Sequence, residues 1–256
     1  MATIAITRAV SRAIDRCELS HLQRSPIDLA LARKQHDGYE QALRDSGCAV
    51  RQLTERPDWP DSVFVEDTMI VLKDVAVSTR PGAPSRRDEV ASVAEVLADF
   101  RELRRIEAPA TLDGGDVLRL DDVLHVGVSA RSNADGIAQL GQLVEPFVYR
   151  VQSVPLKGCL HLKSAVTQVA EDLLLVNPDW VDAGRFEGWR SITVDPAEPH
   201  AANTLKVGER LIMSSSWPRT ATRLRRAGID VHTVEMSEME RAEGGVTCCS
   251  LIFETR

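Results

Sequence analysis

The chain has 256 residues, 43% of them hydrophobic, and a formal charge of −7. That is apolar material for a substantial core without the concentrated basic face that binding nucleic-acid phosphates demands, and every apolar run falls short of the ~18 residues of a membrane-spanning helix. The five cysteines, Cys17, Cys48, Cys159, Cys248 and Cys249, are odd in number and scattered, and the opening MATIAITRAVSRAIDRCE carries charges where a secretory signal needs an unbroken apolar core, so a reducing cytoplasm is expected.

In chain order, the first strong signal is DLALARKQHDGYEQALRDSG, a helix whose Asp28 suits an N-cap and whose Gly47 suits a C-cap. Four later stretches share a short apolar run, a polar turn and a second apolar run: MIVLKDVAVST from Met69, VLRLDDVLHVG from Val117, VTQVAEDLLLV from Val166 and TLKVGERLIMS from Thr204. Their alternation and β-branched residues predict hairpins. Between them DEVASVAEVLADFREL, RSNADGIAQLGQLVEPF and RTATRLRRAG have helical periodicity, with RELRR and RLRRAG as solvated helix faces. No linker or low-complexity segment divides the chain, so residues 1–256 read as one domain. The hairpin spacing fits a repeat architecture such as a propeller, or an ordinary α/β sheet with several hairpins.

The polar residues favour the repeats. DSVFVEDT, TLDGGD, HLK and AAN enter the four hairpins, and GGVTC enters the final apolar run. In a ring of equivalent repeats these entries converge on one axis, gathering Asp61, Glu66, Asp67, Asp113, Asp116, His161, Asn203 and Cys248 into one pocket. Carboxylates held together repel unless a cation sits among them. A guanidinium answers that need, because its planar fork of donors matches paired carboxylates. Its central carbon is electrophilic but resonance-stabilised, and attack on it requires a strong nucleophile and an acid for the leaving amine. Cys248 and His161 suit those roles. The neighbours Cys248 and Cys249, at what reads as the start of a strand, leave two readings open: a buried pair of small hydrophobes, or a nucleophile with a bystander. A metal site would want spaced ligands.

PDSVFVEDT (Pro60 to Thr68), TRPGAPSRRDE (Thr79 to Glu89), IEAPATLDGGDV (Ile106 to Val117), SARSN (Ser129 to Asn133), LHLKSA (Leu160 to Ala165), HAANTL (His200 to Leu205) and GGVTCCS (Gly244 to Ser250) span nearly the whole chain. In that combination and order the sequence resembles the dimethylarginine dimethylaminohydrolase family, of the guanidino-group-modifying pentein superfamily. The resemblance implies an α/β propeller of five pseudo-symmetric ββαβ repeats, with the active site on the central axis. It implies Cys248 as the nucleophile, with Cys249 turned away on the opposite strand face, and His161 as the proton donor. Asp113, where some relatives have Glu, would orient the histidine. Asp67 with Glu66 would hold the guanidinium, Asp61 the α-amino group, and Arg86 and Arg131 the α-carboxylate. Leu19, in a mobile loop, and Ala242 would contribute backbone carbonyls. The implied reaction converts Nω-methylated arginines to citrulline and dimethylamine or methylamine through a covalent cysteine intermediate, with neither metal nor organic cofactor. A small-molecule substrate is then the expected partner, and a homodimer is compatible with the reading. Arginine deiminase chemistry is the nearest rival, but those longer relatives have an inserted helical region absent here. A non-catalytic propeller would share the repeats and lack Cys248, His161 and Asp113.

Overall fold

Each predicted hairpin forms, and a short helical segment or tight turn loaded with polar residues precedes it. The computed structural model describes residues 2–255. Strand β1 (Thr3–Arg8), helix α1 (Leu29–Asp45) and β2 (Cys48–Leu53) open the chain. They are followed by β3 (Met69–Val71), β4 (Val75–Ser78), α2 (Glu89–Leu97) and β5 (Glu102–Arg105). Next come β6 (Val117–Leu120), β7 (Val123–Val128), α3 (Ala134–Val144) and β8 (Arg150–Pro155). The short α4 (Leu162–Ala165) leads into β9 (Val166–Ala170), β10 (Leu173–Val176) and β11 (Arg190–Thr193). The remaining elements are β12 (Thr204–Val207), β13 (Arg210–Ser214), α5 (Pro218–Arg226), β14 (Asp230–Val234), α6 (Ser237–Arg241) and β15 (Leu251–Glu254).

These strands make five three-stranded sheets, ordered β3-β4-β5, β6-β7-β8, β9-β10-β11, β12-β13-β14 and β15-β1-β2. In every sheet the first pair is antiparallel and the second parallel, which is the strand pairing of a ββαβ unit repeated five times. The fifth sheet joins the two ends of the chain: β1 runs antiparallel to β15 from Thr3 opposite Glu254 to Ile6 opposite Leu251. The third repeat, β9-β10-β11, lacks its α-helix. A 3-10 turn, Ala183–Arg185, stands there instead, because NPDWVDAGRFEGWR has no helical period and Gly188 takes a left-handed φ of 83°.

Local chemistry sets the helix ends. The Asp28 carboxylate accepts the N–H groups of Ala30 and Leu31 (2.9 and 3.0 Å), and Gly47, at φ 89°, ends α1. Asn133 caps α3 by accepting from the Gly136 N–H at 2.8 Å. The buried faces of α1 (Ala32, Tyr39, Leu43) and α3 (Leu140, Val144) then pack on their sheets. One expectation fails: most of RELRR lies in β5, not on a helix. All four residues of β5 are exposed, and as the outermost strand of its sheet its three charged side chains guard an edge that would otherwise invite pairing.

The innermost strands β3, β6, β9 and β12 and the start of β15 surround an axial cavity of about 1,360 Å³, its open mouth included. Val65–Thr68, Gly114–Asp116, α4, Pro199–Ala202 and the turn at 246–249 are the five hairpin entries, and they carry the residues gathered at the site.

Candidate active site

Cys248 lies in the turn at 246–249, three residues before β15 begins at Leu251. Strand alternation therefore does not separate the two cysteines, contrary to the expectation from sequence. Turn hydrogen bonds do. The Tyr39 hydroxyl reaches from α1 to within 2.7 Å of both the Val246 carbonyl and Ser250 Oγ, and the Glu66 N–H donates to the Cys248 carbonyl at 3.1 Å. The Gly245 N–H points at Cys248 Sγ, 3.4 Å away. Cys249 is sealed in the apolar cluster around α1, while Cys248 reaches cavity walls. Gly244 is obligatory here, since a Cβ would sit 2.1 Å from the Phe64 ring.

His161, just before α4, is almost wholly buried between two carboxylates. Its Nε2 lies 3.1 Å from Asp113 Oδ2, and its Nδ1 lies 3.7 Å from Asp67 Oδ1. Asp113 is fixed in turn by the Gly82 N–H at 2.9 Å. Asp67 accepts the Gly115 N–H at 3.0 Å and pairs with Arg86 at 2.5 Å. A Cβ on Gly115 would come within 2.5 Å of His161 Nδ1, so glycine permits the imidazole and carboxylate to meet. Asp116 stands behind this layer, accepting from Ser129 and Ser132 (both 2.6 Å) and from the Leu162 N–H (3.0 Å), which ties the histidine's backbone in place.

Burial sets the charges against one another. It pulls the His161 pKa down, yet Asp67, Asp113 and Asp116 together outweigh it and lift the value to about 9, so the imidazole is a cation at neutral pH. Burial also works against the Asp67 carboxylate, but His161, Arg86 and the Gly115 N–H hold it down at about 2. Burial, then the charges of Glu66 and Asp67, push the Cys248 thiol up to about 12. The resting site thus holds a neutral thiol beside an imidazolium. Among the described residues, Asp67, Asp113 and His161 are the one trio that could converge on a metal ion, but an imidazolium does not ligate, and Asp67 is already committed to Arg86 and Gly115.

A cavity of about 340 Å³, mouth included, brings together Cys248, His161, Asp61, Asp67, Arg86, Arg131 and Ala242 of the residues expected from sequence. Asp113 stands behind His161. Glu66 faces away, toward the axial cavity: one oxygen pairs with Lys163 Nζ at 2.6 Å and the other accepts from Thr247 Oγ1 at 2.8 Å. Arg86 borders the cavity with its guanidinium committed to Asp67, Glu89 and the carbonyls of Asp61 and Phe64. Arg131 makes one side-chain bond, to Ser20 Oγ at 3.0 Å. Leu19 packs on the apolar cluster around α1, and its neighbour Glu18 lines the cavity, donating its N–H to both oxygens of Asp61 at 3.2 Å.

Sequence reasoning missed Glu243. Its carboxylate takes the N–H groups of Ser20 (2.9 Å), His21 (2.6 Å) and Leu22 (2.5 Å), fastening the loop over the site, and it holds a left-handed φ of 58° that a non-glycine residue adopts only under constraint. No motif flags it; the nearest signal is its place beside the glycine pair.

Residues 7–254 match the family model for "N,N dimethylarginine dimethylhydrolase, eukaryotic". A dimethylarginine dimethylaminohydrolase of Streptomyces coelicolor is 39% identical over 96% of this chain and 95% of its own. The chain belongs to the dimethylarginine dimethylaminohydrolase family. Among solved structures, a cysteine-to-serine mutant of the family member from Pseudomonas aeruginosa, complexed with citrulline, superposes with a TM-score of 0.94 at 34% identity, covering 99% of this chain and 100% of that one. A histidine-to-glycine dimethylarginine dimethylaminohydrolase, solved as an adduct with S-methyl-L-thiocitrulline, gives 0.93 at 35% identity over 99% and 100% of the two chains.

Two outcomes test this electrostatic picture. NMR titration should place the His161 midpoint near 9, and Asp67→Asn should move it toward the ordinary 6.5. Because the folded value is raised, the stabilisation is complete below about 6.5 and is lost as pH rises through about 9, so the Asp67→Asn variant should show a flatter stability profile across that window. Glu243→Ala should release the loop, read as faster tryptic cleavage after Arg24; an unchanged cleavage rate would show that Glu243 does not fasten it.

Proposed function

We propose that this chain hydrolyses Nω-methylated arginines to citrulline and dimethylamine or methylamine through a thioether on Cys248. The observation that carries the reading is a nucleophilic thiol and an imidazolium on one small cavity that also presents Asp67, Asp61 and Arg131. Family membership supports it, as do the citrulline complex and the thiocitrulline adduct of relatives.

The chemistry follows from the charges. The guanidinium binds Asp67, which accepts it as a carboxylate, while Asp61 takes the α-ammonium and Arg131 the α-carboxylate through charge-assisted hydrogen bonds. Arg86, saturated by its buried partners, positions Asp67 and offers the substrate at most its remaining Nη1 donor. Cationic substrate beside Sγ offsets the carboxylates that keep the thiol protonated, and the thiol proton leaves to solvent. The thiolate attacks the guanidinium carbon. His161, already protonated, gives its proton to the departing nitrogen, and the carbon–nitrogen bond breaks. The neutral imidazole then takes a proton from the water that hydrolyses the thioether, returning the thiol and releasing citrulline. Asp113 holds the ring throughout, through its bond to Nε2.

All five cysteines are unpaired, which supports a reducing cytoplasm, and no described helix is long and apolar enough to cross a membrane.

The decisive assay compares the amines released from asymmetric dimethylarginine, monomethylarginine and arginine. Dimethylamine and methylamine should dominate, whereas ammonia from arginine as the main product would favour deiminase chemistry. Cys248→Ser should abolish turnover, and Cys249→Ser, whose side chain packs in the core, should retain most of it; equal loss in two folded variants would overturn the roles. Arg131→Ala should cost ~1.5 to 3 kcal/mol in kcat/KM for dimethylarginine, as expected for a lost charged hydrogen bond. The same change should barely affect the decarboxylated analogue.

A further inference from the structure

A second cavity, about 880 Å³ with its mouth, lies on the other flank of the nucleophile. It shares Cys248, Leu160, Glu243 and Gly244 with the smaller one, so the two meet at the reactive sulfur. Their chemistry differs. The smaller is charged, whereas the larger has Leu22, Leu160, Val246 and Trp217 on its wall. Its polar lining is His21, Ser164, His200, Asn203, Glu243 and Glu240, the last accepting from Ser216 Oγ at 2.8 Å.

We infer that this cavity is the subsite for the Nω substituent and for the alkylammonium it becomes, and that it admits Nω-alkyl chains longer than methyl. The inference rests on the proposed hydrolase reading and names the substrate class further. A guanidinium held by Asp67 with its carbon facing Sγ directs the nitrogen to be expelled over the shared rim into the apolar space. The reaction balances as for the methylated substrates. The Sγ–carbon bond forms, the bond from carbon to the alkylated nitrogen breaks with the proton of His161 placed on that nitrogen, and water converts the thioether to citrulline and the free thiol. The amine takes a second proton from solvent and departs as a cation, with an apolar tail suited to Leu22 and Trp217. If instead the wall met the substituent after its first carbon, every added methylene would be penalised by roughly 10- to 200-fold.

The test uses the purified full chain with Nω-propyl-L-arginine and asymmetric dimethylarginine, quantifying the released amine and citrulline by mass spectrometry. Propylamine should appear in equal amount with citrulline, and kcat/KM for the propyl compound should lie within about tenfold of that for dimethylarginine. Ser164→Leu, which narrows the cavity wall, should depress the propyl substrate about tenfold or more beyond any effect on dimethylarginine. Trp217→Ala, which widens it, should raise the ratio of propyl to dimethyl turnover and serves if the leucine variant does not fold. A wild-type penalty beyond tenfold, or variants that change both substrates equally, would overturn the subsite. Failure to process dimethylarginine at all would instead overturn the hydrolase reading.

Discussion

The site depends on one buried carboxylate, Asp67, held between two cations. Arg86 grips it from one side and His161 lies on the other, with the Gly115 N–H completing its shell. Burying a single carboxylate would force it to take up a proton; burying it with two cations lets it stay ionised and makes the imidazole a stored acid. Arg86 is in turn braced by Glu89, whose own burial, opposed by Arg86, raises its pKa to about 7. In the proposed reaction the acid for the leaving amine would thus be loaded before substrate arrives, and the thiol of Cys248 would stay neutral until a cation does arrive. One interaction sets both switches.

Adjacent residues divide the molecule into two faces. Asp67 looks toward the reactive cavity, and Glu66, one position earlier in the same 3-10 turn, looks toward the axial cavity and is tied to Lys163 and Thr247. A turn of three residues per revolution sends consecutive side chains in different directions, so an acidic pair that looks redundant in the sequence serves two ends. The Glu66–Lys163–Thr247 cluster lies on the axial cavity, behind His161, Asp67 and Cys248 of the smaller one. Thr247 adjoins Cys248 and Glu66 adjoins Asp67, while Lys163 stands two residues after His161, so every link of this partition is within two residues of a group lining the smaller cavity.

The repeats were legible because each hairpin is local: its two strands are sequence neighbours, and alternation with β-branched residues specifies them. The convergence of polar entries was legible for the same reason. The closure of the fifth sheet was not, because β1 and β15 come from opposite ends of the chain and no local pattern joins them. RELRR misled because a short charged edge strand and a charged helix face have the same composition. The resemblance implied Arg86 as a ligand for the α-carboxylate, and only three-dimensional placement reveals that four neighbouring groups take all but one of its donors. Glu243 escaped for a related reason, since its partners are backbone amides more than two hundred residues away, and those carry no side-chain signature.

The joining of β1 to β15 has a consequence for the order in which competence is acquired. Four sheets are assembled from neighbouring segments and can form early, but the fifth requires closing a loop of nearly the whole chain, the slowest kind of contact to make. The turn bearing Cys248 immediately precedes β15 and is pinned from α1 by Tyr39. A partly folded molecule can therefore possess His161, Asp113 and the acidic cluster while its sulfur is still unplaced. Such an intermediate would bind cations without consuming them, and reactivity toward free amino acids would emerge only with the final docking event of the ring.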